Sequence, residues 1–136
     1  MVKNKTCVFI SGAGSNLNIL LNNSRSYNFP INIDFIFSDN SHAKGLVFAK
    51  KYNIPYRVLN LKKKLNEEII LNELKNRKIS LLCLAGYMKI LSKNFINTFS
   101  GKVINIHPSL LPKYKGLNTF FKVLHSKEKY TVPETS

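Results

Sequence analysis

Short apolar runs recur along this chain, and the intervals between them carry apolar residues at helical spacing; no other feature constrains the fold as strongly. TCVFISG (6–12), INIDFIFS (31–38), IPYRVLN (54–60), SLLCLAGY (80–87) and GKVINIH (101–107) read as strands. In the second of these, Ile31, Ile33, Phe35 and Phe37 alternate with polar or smaller residues, the period of a strand. SLLCLAGY is apolar throughout, as a central parallel strand covered on both faces is. Between the runs, SNLNILLNNSR (15–25) places Leu17, Leu20 and Leu21 on one helical face, and SHAKGLVFAKKYN (41–53) reads as a helix opened by Ser41. LNEEIILNELKNRK (65–78) has its acids toward the start and its bases toward the end, matching a helix dipole. SKNFINTF (92–99) is a short helix capped by Ser92, and GLNTFFKVLHSK (116–127) has helical spacing again. Strands that alternate with helices fold as a doubly wound α/β sheet, mostly parallel, with right-handed crossovers and helices on both faces.

The 136 residues suffice for one domain with a sizeable core, so residues 1–136 are expected to form a single domain. No apolar run is long enough to span a membrane, and the N-terminal apolar stretch is too short for a signal peptide, so a soluble cytoplasmic protein is expected. Cys7 and Cys83 lie inside apolar runs, the setting of small core residues in a reducing compartment. No Cys/His cluster has zinc-ligand spacing, and no metal is expected.

The formal net charge of +14 invites a nucleic-acid reading. Against it, the lysines are scattered through a chain rich in Asn and Ile, a bias that a genome poor in G and C produces without any polyanionic partner. Lys62, Lys63 and Lys64 form a run, but no aromatic residues interleave with it as a base-stacking surface requires. A phosphorylated small substrate accounts for the charge with fewer assumptions.

In a doubly wound sheet, ligands bind beyond the carboxyl ends of the strands, and three motifs fall there. SGAGSN (11–16) is a Gly-rich strand-to-helix turn whose amides can hold an anion, with Ser15 able to cap the helix or meet a phosphate oxygen. It is not the dinucleotide fingerprint, because Leu17 stands where a third glycine is needed. In AGYMKIL (85–91), Met88, Ile90 and Leu91 can line a slot for a flat heterocycle or belong to the core. Asn105 and His107 share parity on the last strand and so leave it on the same side. An amide donor beside an imidazole can stabilise an oxyanion and handle a proton, or the two can form a satisfied polar patch. A Ser-His-Asp hydrolase fits less well: Ser109 is two residues from His107, with no carboxylate nearby in sequence.

ISGAGSNL (10–17), LAGYMKILS (84–92) and NIHPSLLPKYKGLNT (105–119), in this order and spacing, resemble the phosphoribosylglycinamide formyltransferases of purine synthesis, and the resemblance runs from Cys7 to about Lys127. It implies a Rossmann-like formyltransferase fold and transfer of a formyl group from 10-formyltetrahydrofolate, as co-substrate, to the amine of glycinamide ribonucleotide. Carried over motif by motif, Ser15, Asn16 and Leu17 hold the ribonucleotide phosphate, and Met88, Lys89, Ile90 and Leu91 flank the folate pterin. Asn105 and His107 become catalytic, polarising the formyl carbonyl and stabilising the tetrahedral intermediate, with Asn105 also contacting folate; Lys63 falls near a basic folate-contacting position. Members of the family continue beyond this similarity with further strands and an aspartate that pairs with the catalytic histidine. After Glu73 the only carboxylates here are Glu128 and Glu134. The resemblance therefore implies a chain incomplete at its C-terminus, lacking the family's C-terminal strands, with weak or absent activity on its own and a tendency to form a homodimer over exposed core. The alternatives are a non-catalytic nucleotide- or folate-binding remnant, methionyl-tRNA formyltransferase, and formyltetrahydrofolate deformylase. The deformylase is expected to carry a regulatory N-terminal domain and a second histidine where this chain has Pro108. The tRNA enzyme suits the charge but shares neither the GSN turn nor the chain length.

Overall fold

The computed structural model describes residues 3–106 and 130–131. Strands β1 (Asn4–Ile10), β2 (Ile31–Ser38), β3 (Tyr56–Val58), β4 (Leu81–Leu84), β5 (Lys102–Asn105) and β6 (Tyr130–Thr131) form one sheet in the order β3-β2-β1-β4-β5-β6, with every pairing parallel. Helices α1 (Ser15–Ser24), α2 (Leu46–Lys51), α3 (Lys64–Asn76) and α4 (Lys93–Thr98) alternate with the first five strands. The strand order reverses beside β1, the topological switch at which doubly wound sheets bind ligands. The expected α/β architecture is therefore present. His107 and the expected helix at 116–127 lie outside the described residues.

The core has two layers, one on each face of the sheet. Val8, Ile10, Cys83 and Ile104 pack with Leu17, Leu20 and Leu21 of α1 and Leu46 and Ala49 of α2. Cys7, Phe9, Leu82, Leu84 and Val103 pack on the other face with Ile70 and Leu74 of α3 and Phe95 of α4. Both faces of β4 are buried, which explains its unbroken apolar run. Each large side chain so buried contributes about 1.5–3 kcal/mol of hydrophobic free energy.

Three elements differ from the sequence expectation. A sixth strand, β6, pairs with β5 beyond the five expected, a two-residue segment too short to show a period in the sequence. The alternation of Ile31, Ile33, Phe35 and Phe37 does not keep one face. Thr6 pairs with Ile33 and Cys7 with Phe35, so Asp34 is an extra residue in β2, a bulge. Beyond it the side chains change sides: Ile31 and Ile33 face α1 and α2, whereas Phe35 and Phe37 join the α3/α4 layer. The second helix starts at Leu46, not Ser41. Asn40 takes over the local hydrogen bonding, accepting from the His42 amide on its side chain (3.0 Å) and from the Ala43 amide on its carbonyl (3.1 Å). The Gly45 amide is drawn to the Gly12 carbonyl (3.0 Å), seating the start of α2 on the turn that follows β1.

Candidate active site

Parallel strands bring their carboxyl ends to one edge. Phe9 is level with Leu84, and Leu84 with Asn105. The turn after β1, the segment after β4 and the end of β5 therefore meet at the switch point.

The turn after β1 depends on a close glycine contact. Gly14 is left-handed (φ 79°), and a Cβ there would lie 2.4 Å from the Gly45 Cα. A Cβ on Gly45 would lie 2.7 Å from Ile10 Cδ1 and 2.9 Å from the Gly14 Cα. No side chain larger than hydrogen fits either position without movement. Gly14 is also the N-cap of α1, with no side-chain cap, and Ser15 is the first helical residue rather than the cap. The first intrahelical bond runs from the Asn18 amide to the Gly14 carbonyl (2.9 Å). Helix geometry leaves the amides of Ser15, Asn16 and Leu17 without a carbonyl one turn back, so they point out of the N-terminus with the positive end of the dipole. These are the three residues expected to meet a phosphate. The exposed Ser15 can add its hydroxyl, Asn16 is buried, and Leu17 is wholly buried in the core, leaving its backbone as the group available to a ligand.

The segment after β4 turns at Gly86, which is left-handed (φ 70°) and open on all sides. Tyr87 then folds back onto the sheet, its ring edge-on to Phe9 (centroids 5.3 Å apart) and tilted against Phe37 (6.3 Å). The bulge in β2 is what turns Phe37 to this side. Burial first, and the charges of Asp39 and Glu67 second, hold the Tyr87 phenol well above its usual range. Met88 and Ile90 are 79% and 98% exposed, which rules out a core role for both. Lys89 is exposed and Leu91 is half-buried against the α3/α4 layer. At the end of the strip, Ser92 caps α4 as expected, accepting from the Phe95 amide (3.0 Å) and donating to Glu67 of α3 (2.9 Å).

Asn105 is exposed between buried Ile104 and buried Ile106, and strand alternation puts it on the side of Val103, the same face as the Tyr87 ring. Its expected companion His107 lies outside the described residues. Lys63, exposed, is the N-cap of α3, one turn before Glu67. A shallow hollow of about 570 Å³, lined by Arg25, Lys51 and Tyr52, lies at the opposite edge of the sheet and contains none of these residues.

Two further residues at this edge escaped the sequence reading. The hydroxyl of Ser11, just past β1, donates to Asp39 Oδ1 (2.7 Å), just past β2, and accepts from the Met88 amide (2.9 Å). Both follow the last residue of a strand, and Ser11 opens the SGAGSN motif, but nothing local in the sequence joins them to each other or to Met88.

The chain is similar in sequence and in fold to known proteins. The family model for formyl transferase matches residues 4–132. Phosphoribosylglycinamide formyltransferase of Haemophilus influenzae is 40% identical over 127 residues, covering 90% of this chain and 59% of that protein. The human trifunctional purine biosynthetic protein adenosine-3 is 39% identical over 131 residues, 91% of this chain and 13% of that protein. The crystal structure of phosphoribosylglycinamide formyltransferase from Brucella melitensis superimposes with a TM-score of 0.72 at 38% identity, covering 90% of this chain and 66% of that one. The chain thus spans about three fifths of the length of the Haemophilus relative.

Proposed function

This chain belongs to the formyl transferase family, and on that premise we propose that it forms the ribonucleotide and folate sites of an enzyme moving a formyl group from 10-formyltetrahydrofolate to the amine of glycinamide ribonucleotide. The observation that carries this reading is the convergence of three surfaces at one sheet edge: the open amides of α1, the exposed strip 88–91, and Asn105 beside them. A phosphate at the start of α1 meets three amides and the helix dipole. The apolar side chains of Met88 and Ile90 cover one face of the pterin, and backbone groups of the strip read its edge. Lys63 and Lys89 supply positive charge to a carboxylate-bearing folate. The Asn105 side-chain amide donates to the formyl oxygen as negative charge develops on it, and His107 handles the proton released by the attacking amine. The chemistry of acyl transfer asks for such a donor and such a base at one place, and no metal is required by it. The cytoplasm is the proposed compartment, in keeping with two free, buried thiols.

Titration calorimetry with glycinamide ribonucleotide tests the reading directly. One ribonucleotide site competed by inorganic phosphate, and a separate tetrahydrofolate site, are expected. Failure of the protein to bind either ligand overturns the proposal. Formyl transfer by this chain alone is expected to be weak or absent; where turnover is measurable, Asn105→Ala is expected to lower kcat by about 10²–10³, the usual cost of removing one oxyanion donor, with ribonucleotide affinity unchanged within about twofold.

A further inference from the structure

We propose that Ser11 and Asp39 are positioning residues: the Asp39 carboxylate orients the Ser11 hydroxyl, and that hydroxyl holds the Met88 amide and with it the strip 88–91 against which the formyl donor lies. This inference rests on the reading of the strip as the folate site, and assigns to that site a device outside its contact surface.

A serine hydroxyl has one proton to give. Here it goes to Asp39 Oδ1 at 2.7 Å, a charge-assisted bond, which aims the remaining lone pairs away from the carboxylate. The Met88 N–H meets the same oxygen at 2.9 Å. Ser11 is buried, and its own carbonyl accepts from Asn40 Nδ2 (3.3 Å), so the anchor is itself tied to the end of β2.

The strip needs such an anchor because its side chains do not provide one. Gly86 turns in open space, and Met88 and Ile90 point into solvent. Tyr87 holds the entrance through ring packing, which is weakly directional, whereas a hydrogen bond to Met88 sets the orientation of the peptide plane. At the far end, Ser92 is held by Glu67. The strip is therefore pinned at both ends, and the pin nearer the formyl donor's site runs through Ser11 and Asp39.

The test uses Ser11→Ala, Ser11→Thr and Asp39→Ala, each titrated separately with tetrahydrofolate and glycinamide ribonucleotide. Hydrogen exchange of the Met88 amide is followed alongside. Ser11→Ala and Asp39→Ala are expected to weaken tetrahydrofolate binding by about 3- to 10-fold, the equivalent of one net hydrogen bond. Ribonucleotide affinity stays within about twofold, Met88 exchange accelerates, and Ser11→Thr restores both readouts. Equal loss of the two ligands, or unchanged Met88 exchange in Ser11→Ala, overturns the proposal in favour of a purely structural bond. If Ser11→Ala does not fold, Asp39→Ala decides on the same two readouts. Absence of tetrahydrofolate binding by the wild-type protein defeats the functional reading itself, an outcome visible before any variant is made.

Discussion

Replacing the glycines of the candidate site with alanine separates two costs that the structure assigns to different positions. At Gly86, φ is positive but the space around it is open, so Gly86→Ala incurs backbone strain alone. That strain is about 1–2 kcal/mol for an L-residue, offset by about 0.4–1 kcal/mol from the reduced entropy of the unfolded chain. A net loss of about 0.5–1 kcal/mol follows. At Gly14 the same strain is joined by a Cβ 2.4 Å from the Gly45 Cα, a backbone atom with nowhere to retreat. Overpacking of this kind adds about 1–3 kcal/mol, for a net cost of about 1.5–4 kcal/mol. Gly12 has no positive φ and a Cβ there would meet nothing within 4 Å, so Gly12→Ala is expected to be neutral or slightly stabilising. Urea unfolding followed by far-ultraviolet circular dichroism reads all three. With an m-value of about 1–3 kcal/mol per molar, Gly14→Ala shifts the midpoint down by roughly 0.5–4 M, at unchanged m. The same substitution displaces the first turn of α1, so ribonucleotide affinity falls with stability. Equal costs for Gly14→Ala and Gly86→Ala would refute the reasoning, because the contact between the two turns would then contribute nothing.

Ser92→Ala removes both the cap of α4 and the partner of Glu67, and is expected to lower stability by about 1–2 kcal/mol in the same urea assay. Cys7 and Cys83 are wholly buried and burial raises both thiols above their usual range, so neither reacts with a thiol reagent at pH 8 until denaturant is added. The same shifts set the alkaline limit of stability. A raised thiol stays protonated in the folded state while the unfolded chain ionises above about pH 9, so the stabilisation is complete below that value and declines above it, by up to about 1.4 kcal/mol per pH unit for each thiol. Urea midpoints that do not fall between pH 8 and pH 10 would contradict this.

The alternation of strands and helices was readable because each element carries its own apolar period, and a buried parallel strand such as Leu81–Leu84 has no polar side to disguise it. Ser92 was readable as a cap because capping is local, joining residues three apart. The second helix was misplaced by five residues for the opposite reason. Ser41 looks like a cap, but Asn40 and the long-range bond from Gly45 to Gly12 decide where that segment begins to coil. The Asp34 bulge left no mark on the alternating pattern, since a register slip is a property of two strands and not of one.

The candidate site divides in the same way. The placement of Ser15, Asn16, Leu17, Met88 and Asn105 at one edge was legible because each sits in a short motif that follows or ends a strand, and parallel strands bring such ends to one edge. The bonding of Ser11 and Asp39 was not, although Ser11 opens the SGAGSN motif: what joins the two to Met88 is a hydrogen-bond path across separations of 28 and 77 residues. By itself the sequence determined which residues stand in turns and at strand ends, since motif and strand end are local facts. Only the tertiary structure decided which distant residues bond to one another there, since that depends on which strand ends the sheet order makes neighbours.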